Sequence, residues 1–161
     1  MKYTELDTPT LLIDREIMLE NLTRMQRYAS GKGVSLRPHT KTHKMPFIAK
    51  LQLECGAKGI TVAKVGEAEA MAENGIENIF IANQVVGEEK IKRIASLAKS
   101  GIDISFGIDN PFHVEQAQKI FADMGLKANV LIEIEVGENR SGIIEDKDFI
   151  TLLASIKANH N

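Results

Sequence analysis

The spacing of its glycines constrains this chain more than any other feature. Gly33, Gly56, Gly75, Gly101 and Gly125 stand 23, 19, 26 and 24 residues apart; each closes a helix-like segment and precedes a short apolar run. A glycine just past a helix end takes up the left-handed cap that other residues resist. The apolar runs lie at 35–41, 60–64, 78–83, 103–109 and 129–135. Runs as continuous as IFIAN and VLIEIE suit strands buried on both faces of a parallel sheet. Between them, residues 16–30 place Ile17, Leu19, Leu22 and Met25 at helical spacing, and 87–100 does the same with Ile91, Ile94, Leu97 and Ala98. Asn110 followed by Pro111 reads as a helix cap with proline in the first turn. One more short strand is expected at 10–14, with Pro9 at its start.

One strand and one helix about every 23 residues is the rhythm of a βα barrel or a doubly wound sheet. Neither G-x-G-x-x-G nor G-x-x-x-x-G-K-[ST] occurs, which disfavours dinucleotide and P-loop folds. The expected fold class is therefore α/β, with about five βα units of a TIM-type (β/α)8 barrel. The formal charge is −2 with no basic block, so neither nucleic acid nor a membrane surface is an expected partner. A single cysteine, Cys55, rules out an intrachain disulfide framework and fits a reducing cytoplasm. No apolar run approaches the span of a membrane helix.

The densest polar cluster is Arg37-Pro38-His39-Thr40-Lys41-Thr42-His43-Lys44, at the end of the first expected barrel strand. Sites form at that end in parallel α/β folds. The two-residue period of a strand would aim Arg37, His39 and Lys41 into the barrel together. A lysine amine there is suited to imine chemistry. Residue types alone leave the cluster open between that role, a phosphate-binding patch and a solvated loop. His39 and His43 as a metal pair would need a helix, which Pro38 opposes. Two further candidates follow strands. Arg140, in GENRSG, could hold a carboxylate or phenolate. Asn83-Gln84 could bind a ligand or cap a turn. Glu67 and Glu69 read as first-turn helix residues, Cys55 as packed, and His113 as a helix-surface residue.

The runs DTPTLLIDRE, LRPHTKTHKMPFIAKLQLECGAKGITVAKVGEAEAMAENGIENIFIANQVVG and LIEIEVGENRSG resemble the D-threonine aldolase and D-serine dehydratase group. These are fold-type III pyridoxal-phosphate enzymes with an alanine-racemase type of N-terminal barrel. The resemblance implies that Lys41 is the Schiff-base lysine. It also implies that Arg140 reaches the cofactor and substrate region, with His39 and Asn83 beside the cofactor. A D-amino-acid lyase follows, either cleaving 3-hydroxy D-amino acids or eliminating from D-serine, in a cytoplasmic homo-oligomer. Lys41 is followed by THKMP and not by the ANAYGHG type of run found in racemases. By resemblance, residues 1–161 are an incomplete barrel domain without the family's C-terminal β domain. The ligands of a divalent Mn or Zn ion would belong to the missing part. The alternatives are a protein that binds the cofactor without turnover, or an inactive fragment.

Overall fold

The computed structural model describes residues 2–159. It holds six α-helices and four strands, which alternate from the second helix onward. In chain order they are α1 (Arg15–Gly31), α2 (Pro46–Glu54), β1 (Ile60–Val62), α3 (Val65–Glu73), β2 (Asn78–Gln84), α4 (Glu88–Lys99), β3 (Asp103–Ile108), α5 (Pro111–Asp123), β4 (Asn129–Ile132) and α6 (Asp146–Ala158). The strands form one parallel sheet in the order β1-β2-β3-β4. The five cap glycines all adopt positive φ, from 67° to 113°. Asn110 caps α5 by accepting from the His113 amide, with Pro111 in the first turn. Asp14 caps α1 in the same way through the Ile17 amide.

The core lies between the sheet and the helices on one of its faces. Ile60, Val62, Ile79, Ile81, Ile104, Phe106 and Ile108 from the strands meet Val65, Ala68, Met71, Ile91, Ile94, Val114, Ala117, Phe121 and Leu152 from α3 to α6. Their burial, at about 25 cal/mol per Å² of apolar surface, is the main driving force for this layer. The strands were expected to be buried on both faces. Instead β2 and β4 alternate: Val130 and Ile132 pack against the core, while Phe80 on β2 is only partly buried and Leu131 on β4 is exposed. Among the described residues, no helix layer covers the second face.

Two expected strands differ. Residues 10–14 form no strand, and Leu11 is 98% exposed. Apolar patterning makes a strand only where a neighbouring strand can take its hydrogen bonds. The run 35–41 lies along β1 but forms only a one-sided ladder. The Lys58 and Thr61 amides donate to the Leu36 and Pro38 carbonyls, and His39 makes a single bridge to Thr61. Pro38 has no amide to return. The chain then tightens into a 3-10 turn, Thr40–Thr42, so Lys41 sits in a turn and not on a strand.

Arg37 corrects the expectation that it faces the same cavity as Lys41. Its Nη1 donates to the Ile60 carbonyl and to Asn78 Oδ1, and Asn78 Nδ2 donates to Asp103. Ile60, Asn78 and Asp103 open β1, β2 and β3, so this chain of bonds clasps the N-terminal end of the sheet. Gly59 leaves room for it: a Cβ there would stand 2.8 Å from the Asn78 carbonyl oxygen and crowd both side chains. Gly59→Ala is expected to cost about 1–3 kcal/mol, as overpacking does. A lowered urea midpoint would show it, and an unchanged midpoint would mean that the clasp yields freely.

Candidate functional site

The other end of the sheet opens into a cleft of about 510 Å³. Lys41 and His39 line one side, Asn83 and Gln84 the floor, and Glu133, Glu135, Arg140 and Ser141 the opposite side. Of the residues nominated from the sequence, Lys41, His39, Asn83, Gln84 and Arg140 therefore line one cleft, and Arg37 does not. The cleft lies at the C-terminal end of the strands, where parallel α/β folds carry their sites.

The Lys41 turn is held from several directions. Buried Thr40 donates through Oγ1 to the Thr61 carbonyl at 3.2 Å. The Lys41 amide donates to His39 Nδ1 at 3.2 Å. The amides of His43 and Lys44 both close on the Thr40 carbonyl, which places Lys44 at φ 53°. Lys44 pairs with Glu67 at 3.6 Å, and Glu67 also accepts the Ala63 amide at 2.8 Å. Glu67 thus has a structural job, as does Glu69, whose carboxylate pairs with Arg93. Partial burial lowers the His39 pKa, and the nearby Lys41 charge lowers it further. Both effects favour the neutral imidazole. With Nδ1 accepting, the proton belongs on Nε2.

The floor depends on a bulge. β2 pairs in register with β3 up to Ile81–Phe106, and the next partner of Gly107 is Gln84. The extra residues, Ala82 and Asn83, push the strand end toward the cleft, a common device beside functional sites. A Cβ on Gly107 would sit 3.4 Å from the Asn83 carbonyl oxygen and 3.6 Å from Glu133 Oε2. Across this low point Gln84 Nε2 donates to Glu133, which also accepts from Ser141 Oγ at 2.7 Å. Asn83 Nδ2 donates to the Ala63 carbonyl at 3.3 Å.

Glu133 and Glu135 were not anticipated. Their signal was present in IEIE, where alternate acids at a strand end share one face. Glu135 lies inside the arginine loop and accepts from the amides of Gly137 and Arg140, the latter at 2.9 Å. Donation by the Arg140, Asn139, Gly137 and Glu138 amides lowers its pKa to about 2. A carboxyl depressed on folding stabilises the folded loop above its ordinary pKa and loses that contribution as pH falls. Amide protection in 137–140 should therefore hold from pH 7 to about 5 and decline between 4.5 and about 2. Loss of protection already near pH 6 would contradict this.

His113 corrects a further expectation. It is buried, not on the helix surface, and its Nδ1 lies 3.2 Å from Asp109 Oδ1. It lies in the first turn of α5, where its amide donates to the capping Asn110 side chain. Burial lowers its pKa, against the pull of Asp109. Cys55, at the end of α2, is partly buried. Among the described residues, no group of three His, Cys, Asp or Glu side chains could hold a metal. No helix among them is long and apolar enough to cross a membrane.

Residues 13–161 match the alanine racemase N-terminal domain. A D-threonine aldolase of an Arthrobacter species is 40% identical over 87% of this chain and 37% of its own length. The crystal structure of D-threonine aldolase from Filomicrobium marinum superposes with a TM-score of 0.91 at 35% identity, over 96% of this chain and 42% of that one. D-threo-3-hydroxyaspartate dehydratase from Delftia sp. HT23 gives 0.88 at 33% identity, over 97% and 41%. The chain thus spans about two-fifths of the length of these relatives. Its α/β architecture is part of the barrel of fold-type III enzymes, and the chain belongs to the alanine racemase N-terminal domain family, on the side of the D-amino-acid aldolases and dehydratases.

Proposed function

We propose that the cleft is the pyridoxal-phosphate site of a lyase acting on 3-hydroxy D-amino acids, with Lys41 as the cofactor lysine. The observation that carries this is the meeting of Lys41 and Arg140 across one cleft at the strand ends. None of the ion pairs among the described residues uses either of them. The residues fit the cofactor: an amine, a guanidinium, the His39 Nε2–H donor and the Asn83 amide suit an aldehyde with anionic oxygens. When bound, pyridoxal phosphate supplies that aldehyde and a ring that withdraws electrons from the α-carbon. Lys41 would hold it, and Arg140 would pair with the phenolate or a substrate carboxylate. His39 would keep the Lys41 turn in place through Nδ1.

The names of the relatives point to two reactions. An aldolase would cleave the Cα–Cβ bond of a substrate such as D-threonine, giving glycine and an aldehyde. A dehydratase would remove the α-proton and expel the β-hydroxyl. A divalent Mn or Zn ion belongs to the same reading by resemblance, and one variant of the related dehydratase is described in a metal-free form. The described residues do not themselves fit such an ion, so no step is assigned to it.

The test is product analysis with added cofactor and Mn²⁺ or Zn²⁺. Glycine formed from D-threonine supports the aldolase. Ammonia and a 2-oxo acid formed from D-serine or 3-hydroxy-D-aspartate support the dehydratase. Cofactor retained at Lys41 with neither product would replace the lyase with a protein that carries the cofactor without turnover, or with an inactive fragment.

A further inference from the structure

We propose that Glu135 is the positioning residue for Arg140: its carboxylate is the post around which the loop folds, and it fixes where the guanidinium stands in the cleft. The proposal rests on reading Arg140 as a cofactor or substrate contact.

The loop has little else to hold it. Its two ends are pinned where the Glu135 amide donates to the Ile143 carbonyl and the Ile143 amide donates to the Glu133 carbonyl, both at 3.0 Å. Between these bonds, among the described residues, no backbone–backbone hydrogen bond involves residues 136–141. Backbone amides left without partners are costly unless water or a side chain takes them. Here the side chain of Glu135 does so. Gly137 donates to Oε1, and Arg140 donates to Oε2 at 2.9 Å. Gly137 at φ 121° and Asn139 at φ 52° turn the backbone so that successive amides converge. Converging amides of this kind form an anion-binding nest. In this chain the anion is built in.

Two consequences follow. First, the Gly137 and Arg140 amides are not offered to a phosphate or a carboxylate, because Glu135 already occupies them. On the loop side of the cleft, an anion is met by the Arg140 side chain. Second, the last anchored amide belongs to Arg140, so the Glu135 carboxylate fixes the backbone from which the guanidinium extends. Ser141, the next residue, is tied to Glu133 at 2.7 Å. Arg140 is thus held between two carboxylates of one strand end while its own side chain forms no ion pair with either. Placement of this kind contributes to binding and rate through orientation.

The experiment compares Glu135→Gln, Arg140→Ala and the double variant by two readouts. Glutamine keeps the size and removes the charge and one acceptor. Without ligand, hydrogen exchange should show protection of the Gly137 and Arg140 amides falling about tenfold in Glu135→Gln, as loss of a charge-assisted bond implies. Amides of β2 and β3 should be unchanged, which separates a local effect from misfolding. With pyridoxal phosphate as the probe, Glu135→Gln should weaken binding about as much as Arg140→Ala, and the double variant should be no worse than either single one. Native protection in Glu135→Gln would overturn the proposal. So would additive losses of affinity, or full affinity in Glu135→Gln beside weakened binding in Arg140→Ala. Unchanged affinity in Arg140→Ala would instead sink the reading of Arg140 as a cofactor contact, and the positioning role with it.

Discussion

Lys41→Ala is expected to abolish borohydride-stable attachment of pyridoxal phosphate, and with it any turnover that depends on the cofactor. Lys41 is the one lysine among the residues that line the cleft. Lys44, three residues on, is turned away into its pair with Glu67. The loss should not come from unfolding. Lys41 is exposed, and its turn is held by Thr40, by backbone bonds and by His39. Stability should therefore stay within about 0.5 kcal/mol of wild type, as for other surface changes. Lys41→Arg should fail equally: it keeps the positive charge but lacks an amine that can condense with an aldehyde. Attachment at wild-type level in either variant would remove Lys41 from the role.

Gly142→Ala should have the largest structural effect near the cleft. Gly142 has φ 101°, a region that L side chains rarely adopt. A Cβ there would lie 2.7 Å from the Glu135 amide nitrogen and 2.8 Å from the Ile134 carbonyl carbon. Both neighbours are backbone, so neither can swing aside. Relief means separating residues 134–135 from 142–143 and lengthening the bond from the Glu135 amide to the Ile143 carbonyl. The combined backbone strain and overpacking should cost about 2–3 kcal/mol. Because Arg140 and Ser141 lie just before this position, cofactor affinity should fall as well. A wild-type urea midpoint together with wild-type affinity would show that the loop is not held where the structure has it.

The sheet was legible because its signals are local. A glycine that must take positive φ and an apolar run behind it each act within a few residues, so five glycines mark five helix ends. The cleft was legible for a related reason: strand ends carry the site in such folds, and RPHTKTHK, IANQ and GENRSG all fall there. What escaped depends on neighbours. Residues 10–14 have the apolar pattern of a strand but no partner strand among the described residues. Arg37 shares a two-residue period with Lys41, yet it bonds to residues 23 and 41 positions away at the opposite end of the sheet. His113 is placed by the way α5 docks, which no local pattern reports. Glu133 and Glu135 alternate visibly in the sequence, but Glu133 works through Gln84 and Ser141, and the loop amides need Glu135 only once the loop has folded back.

The most direct test of the central claim is to find which lysine the cofactor modifies. The protein is mixed with pyridoxal phosphate, reduced with borohydride, digested and mapped by mass. Modification is expected at Lys41, in the tryptic peptide that begins after Lys32, because the Arg37–Pro38 bond resists trypsin. Modification of Lys44, Lys58 or Lys64 with Lys41 untouched would contradict it.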